Sequence, residues 1–139
     1  MKTQILLTVA AVALAAQARE PTQRLFVTNE GDNSVSVIDS RTGKMEKTIE
    51  IGGKPRGIGF SPDRSLVYVA LGNFDAIGVI DTQSLEVVKK ISAGSDPEAF
   101  AVHPETGHIY LSNEDEGLAS VLDPKTEKIL AEVEVGIEP

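Results

Sequence analysis

The sequence predicts an all-β chain of repeated, four-stranded sheets, and three observations predict it. Landmark residues recur at a single interval. Phe26, Tyr68 and Tyr110 are 42 residues apart, as are Asp39, Asp81 and Asp123, then Gly52, Gly94 and Gly136, then Pro55, Pro97 and Pro139, while Pro62 and Pro104 share the spacing. Within each repeat the apolar runs are short, β-branched and partly alternating, as in Ser34-Val35-Ser36-Val37-Ile38 and Thr48-Ile49-Glu50-Ile51. Pro or Gly clusters separate them, which is strand patterning. Past the N-terminal run, no segment carries an apolar stripe at three- and four-residue spacing free of Pro and Gly, as a helical repeat of similar length would require. A period in the low forties with this content is that of a propeller blade. The expected architecture is therefore a β-propeller of about three four-stranded blades in an open, incomplete arc.

The elements follow in chain order. Met1 to Gln4 carries one positive side chain, Ile5 to Ala16 is an apolar run, and Ala16-Gln17-Ala18 places small residues before a cleavage point. This is the plan of a secretory signal peptide over residues 1–18, cut after Ala18. The run is about 12 residues, short of the roughly 20 that a spanning helix needs. The expected mature chain, 19–139, starts at Arg19 and is periplasmic. Its first blade, about 22–54, lacks an inner strand; the second is about 55–96 and the third about 97–138. Strands of the middle blade are expected near Arg56–Phe60, Val67–Ala70, Ala76–Ile80 and Val87–Ile91, and the whole chain should hold about 11.

Turn chemistry separates these strands. Pro62 and Pro104 fix φ at the first corner of a tight turn, with Asp63 next as a turn former. Gly107 is suited to a left-handed conformation, which its counterpart Ser65 adopts less cheaply. Asp39, Asp81 and Asp123 end their strands, where a carboxylate accepts N–H bonds from the following turn. Gly52, Gly94 and Gly136 close the last strand of each repeat.

Composition removes several function classes. The chain has 139 residues, no Cys, and a formal charge of −8 from 13 Lys and Arg against 21 Asp and Glu. Disulfides, thiolate chemistry and Cys-ligated metals are excluded. Removal of Lys2 with the signal leaves a charge of −9, and an acidic chain with few aromatics is a poor match for nucleic-acid phosphate.

Phe26-Val27-Thr28-Asn29, Tyr68-Val69-Ala70 and Tyr110-Leu111-Ser112-Asn113 each precede an Ile/Leu-Asp strand end and a Gly-x-x-Pro. In this the mature chain closely resembles the YVTN-type β-propeller repeat family. Gly94-Ser95-Asp96-Pro97-Glu98-Ala99-Phe100 and Ser112-Asn113-Glu114-Asp115-Glu116 look most like its branch of periplasmic propellers associated with PQQ-dependent alcohol catabolism. The middle repeat departs from the pattern, with Leu71 where its neighbours carry Asn29 and Asn113. Propellers of that family usually have seven blades, about 290 residues, and even four blades need about 165. The resemblance thus covers an N-terminal part only, and a truncated sequence is expected over a ring built from several short chains.

In a propeller, the loops joining the second and third strands of each blade share a face with the blade-to-blade crossings. That face collects Asn29, Glu30, Asp32, Asn33, Asn73, Asp75, Asn113, Glu114, Asp115 and Glu116, and the crossings add Lys54, Arg56, Asp96, Glu98 and Glu138. Asn29, Glu30, Arg56, Asp96, Glu98, Asn113 and Glu114 are the candidate binding residues. Asn29 and Asn113 are expected to close their loops as Asx turns. No EF-hand spacing is present for calcium, and His103 and His108, together in one turn with no third ligand, are read as incidental. No dinucleotide fingerprint, nucleophile elbow or His-Glu-x-x-His appears. Neither catalytic residues nor a cofactor or metal are therefore expected. The leading expectation is an exported binding or scaffold protein, accessory to PQQ-dependent alcohol catabolism as the resemblance implies. Its partner would be a periplasmic protein such as a quinoprotein dehydrogenase system, with no nucleic acid and, after cleavage, no membrane. Self-association through open blade edges is also expected. The alternative is a fragment of a propeller enzyme, lactonase-like or haem-dependent.

Overall fold

The computed structural model describes residues 23–139. The expected signal over 1–18 and the position of an inner strand for the first repeat both lie outside the described residues. Among the described residues, eleven strands form three antiparallel meanders. The first sheet is β1 (Arg24–Asn29), β2 (Ser34–Asp39) and β3 (Met45–Glu50). The second is β4 (Pro55–Phe60), β5 (Leu66–Leu71), β6 (Ala76–Asp81) and β7 (Val87–Ser92), in that order. The third is β8 (Pro97–Val102), β9 (Ile109–Asn113), β10 (Leu118–Asp123) and β11 (Lys128–Glu134). The sequence period reappears as register. Phe26 pairs with Val37, Tyr68 with Val79 and Tyr110 with Val121. A bulge falls at the same place in each repeat, after Val37, Val79 and Val121.

Two cores hold the sheets face to face. Strand alternation sends Val67, Val69 and Leu71 of β5 to one side, where they meet Phe26, Val35, Val37 and Ile49 of the first sheet and Ile51 just past β3. Tyr68 and Ala70, between them in sequence, point the other way and pack with Ile77, Ile91, Ile109, Leu111 and Leu122. The middle sheet is thus covered on both faces. Among the described residues the outer two are covered on one, and the repeat shows what this changes. Ile49 and Ile91 are 4% and 1% exposed where they meet the next sheet, whereas Val133, at the same position of the third repeat, is 60% exposed.

Polar clasps reinforce both contacts. Lys47 Nζ donates to the Leu85 carbonyl at 2.9 Å and to Glu86 at 2.6 Å. Lys89, its equivalent one repeat on, reaches the Pro124 carbonyl at 3.3 Å and Glu127 at 2.7 Å. The third repeat has Ala131 at that position.

The turns bear out the expected roles of the aspartates. Asp39 accepts the N–H groups of Arg41 and Thr42, Asp81 those of Gln83 and Ser84, and Asp123 that of Lys125. The prolyl turns differ in detail. Gly107 takes its left-handed conformation (φ +77°), but in the middle repeat the left-handed residue is Arg64 (φ +57°), one position before Gly107's counterpart. Its inner bond is one residue tighter: the Ser61 carbonyl accepts Arg64 N–H, where the His103 carbonyl accepts Gly107 N–H, and the Ser61 and Asp63 side chains close the turn.

Candidate functional site

Arg56, the second residue of β4, is the hub of the loop face. Its carbonyl accepts the Thr28 hydroxyl of the first sheet at 2.9 Å, which fixes the strand beside β1. Its guanidinium lies 3.8 Å from Glu30 in the β1–β2 loop, 3.4 Å from Asp96 in the crossing to the third sheet, 3.4 Å from Glu98 in β8 and 2.9 Å from Glu114 in the β9–β10 loop. Residues of three sheets therefore converge on one half-buried cation. Gly72 makes room for the cluster, since a side chain there would collide with the Asp96 carboxylate. One positive charge faces four carboxylates.

That imbalance shapes the protonation of the group. Burial works against the charge of Arg56, but the Glu114 hydrogen bond and the charges of Asp96 and Glu98 outweigh it and raise its pKa. Glu98 and Glu114 share a hydrogen bond, which raises the pKa of Glu98 and lowers that of Glu114. Glu98 is accordingly the first of the pair to take up a proton as pH falls, and Arg56 holds Glu114 down further.

Of the sequence-predicted residues, Glu30, Arg56, Asp96, Glu98 and Glu114 meet here. Asn29 and Asn113 do not join them, and the Asx turns expected of them do not form. Asn113 is fully buried: its Nδ2 donates to the carbonyls of Ala93 at 2.8 Å and Ser95 at 3.1 Å, and its Oδ1 accepts the Ser120 hydroxyl at 2.7 Å. It ties the crossing down from inside. Asn29 instead donates to the hydroxyls of Ser34 and Ser36. The loop-closing amide oxygen belongs to Asn33, which accepts Lys54 N–H at 2.9 Å.

The middle repeat, with Leu71, solves the same problem differently. A single 3-10 turn, Gly72–Phe74, which the sequence did not reveal, brings Asn73 N–H to the Gly53 carbonyl at 3.2 Å. The Phe74 ring then covers Gly52 and Gly53 so closely that neither could carry a side chain, and Lys90 lies 4.2 Å above that ring.

On the opposite face His103 caps its own turn: Nδ1 accepts the N–H groups of Glu105 and Thr106. Among the described residues no three His, Asp or Glu side chains are grouped to hold a metal ion.

No family model matches the chain. One curated protein, "Uncharacterized protein YwhL" of Bacillus subtilis (strain 168), is 36% identical over 67 residues, 48% of this chain and 15% of that protein. Among solved structures, "Kuenenia stuttgartiensis Hydrazine Synthase" superposes with a TM-score of 0.77 at 22% identity, over 84% of this chain and 34% of that one. "Dihydro-heme d1 dehydrogenase NirN in complex with DHE" does so with a TM-score of 0.68 at 23% identity, over 82% of this chain and 24% of that one. The chain spans about a third or less of each of these two solved chains. Both neighbours are β-propeller-type proteins, and the fold of this chain is propeller-like.

Proposed function

We propose that the chain is an exported β-propeller binding module whose loop face takes a basic surface of a periplasmic partner protein. The convergence of Glu30, Asp96, Glu98 and Glu114 on Arg56 carries this reading. One guanidinium leaves a negative excess on a face built from three sheets, and such a field steers and selects a cationic partner. Export rests on the tripartite pattern of residues 1–18. The partner class, a quinoprotein alcohol dehydrogenase system, rests on the resemblance of the Gly94–Phe100 and Ser112–Glu116 segments to PQQ-associated propellers.

The test is affinity capture on the mature chain from periplasm of cells grown on an alcohol, with Glu30→Gln/Glu98→Gln/Glu114→Gln as comparator. Recovery of a quinoprotein dehydrogenase subunit by the native chain, and its loss with the triple variant, is the expected result. Equal recovery by both, or none by either, refutes it. N-terminal sequencing of exported material should begin at Arg19.

A second reading, part of a propeller enzyme, draws on the names of the two structural neighbours. At 22% and 23% identity their likeness shows the fold alone, and His103, the nearest thing to a ligand here, already caps a turn through Nδ1.

A further inference from the structure

A cavity of about 440 Å³ lies between the second and third sheets on the face opposite Arg56, at the β4–β5, β8–β9 and β10–β11 turns. Its volume is within the roughly 300–1,000 Å³ of small-molecule sites. Tyr68 lines it and is 5% exposed, yet its hydroxyl has no hydrogen bond among the described residues. A buried phenol normally finds a partner. The oxygen is not sealed in the core, because no buried side-chain oxygen lacks a partner among the described residues; it opens on the cavity.

The rest of the lining says what would fit. Asp63 accepts three hydrogen bonds from Ser61 and Ser65, all on Oδ1, which leaves Oδ2 acceptor capacity. Those bonds, led by that of Ser61, hold its pKa down to about 2, so it is ionised at neutral pH. Against Asp63 and Glu105 the lining sets Lys89 and Lys125, so its formal charge is zero, and Lys89 is already engaged by Glu127. Pro62, Pro124 and the Tyr68 ring supply apolar walls. A free anion or cation gains little here. A ligand that is donor, acceptor and partly apolar at once gains most.

We propose that this inter-sheet cavity binds a small, uncharged polyhydroxylated molecule of monosaccharide size, which accepts the Tyr68 hydroxyl and donates to the Asp63 carboxylate. The site lies on the other face from the proposed partner surface and stands independently of it. Amide NMR of the full mature chain tests it, with D-glucose and myo-inositol as probes and acetate and methylammonium as charged comparators. One of the neutral probes should give saturable shifts at Leu66, Gly107 and Lys125 with a Kd of about 1 mM or tighter. Tyr68→Phe keeps the buried ring and removes only the donor, and it should weaken binding about five- to tenfold while leaving the spectrum folded. Asp63→Asn keeps the turn acceptor at Oδ1 and should weaken it comparably. No saturable shift with either neutral probe, equal affinity in Tyr68→Phe, or tighter binding of acetate or methylammonium would overturn the proposal.

Discussion

Replacing Asn113 by alanine is expected to destabilise the chain by about 3 kcal/mol, at about 1 kcal/mol for each of its three hydrogen bonds. Those bonds run to the Ala93 and Ser95 carbonyls and from the Ser120 hydroxyl. Ala93 and Ser120 are as buried as Asn113 itself, so water cannot readily replace the lost partner. In a domain of this size the change corresponds to a fall in Tm of about 10–15 °C. Asn29→Ala is the matched control: it removes two bonds to serine hydroxyls at a half-buried position, and about 1 kcal/mol is expected. Gly94 supplies a second check. Its φ is +79°, and a side chain there would come within 2.7 Å of the Asn113 amide. Gly94→Ala therefore suffers both backbone strain and a clash, and Asn113→Ala relieves only the clash, so a double-mutant cycle should show a coupling of about 1 kcal/mol. The assay is urea and thermal unfolding followed by far-UV circular dichroism. An Asn113→Ala loss within about 0.5 kcal/mol of zero, or one equal to that of Asn29→Ala, would refute the reasoning.

Arg56→Gln leaves four carboxylates facing one another and should cost about 1–3 kcal/mol, a loss that Glu98→Gln in the same chain partly restores; unfolding curves at neutral pH decide it. Because the Asp63 pKa falls from 3.8 unfolded to about 2 folded, its contribution is present above about pH 4 and is lost as pH drops toward 2. Asp63→Asn should flatten that part of the acid-unfolding profile, and an unchanged profile would count against the assignment. The exposed Tyr110 and Val133 stand where Tyr68 and Ile91 are buried, and with Leu25 and Val27 they leave apolar faces at both ends. Exposed apolar faces of this kind favour association, so sedimentation should show self-association of the mature chain that Val133→Glu diminishes. A monodisperse monomer with a cooperative melt above about 65 °C would contradict this.

The fold was legible because its signal is periodic. Spacing alone aligned Tyr68 with Tyr110 and Asp81 with Asp123, and short-range turn chemistry then marked each strand end. The five charged residues of the Arg56 cluster were legible as residues of one face, but their pairing was not. Arg56 and Glu30 are far apart in sequence, and their meeting depends on how one sheet turns against the next. Asn113 was misread because burial is decided by the crossing that folds over it, not by its own neighbours in sequence. The substitution at Leu71 was visible, yet its compensation by Phe74 and Asn73 was not, since a three-residue turn leaves no periodic trace. The Tyr68 cavity escaped because its walls come from three separate turns.

Native-state amide hydrogen exchange, at a concentration low enough to keep the chain monomeric, tests the central claim most directly. That claim is that each sheet is stabilised mainly by the sheets against its faces. β5 and β6, covered on both sides by the two cores, should exchange slowest and at a common rate. β1 and β11, each at the edge of an outer sheet, should exchange fastest. Equal protection across the three sheets, or slowest exchange in β1 or β11, would contradict the account.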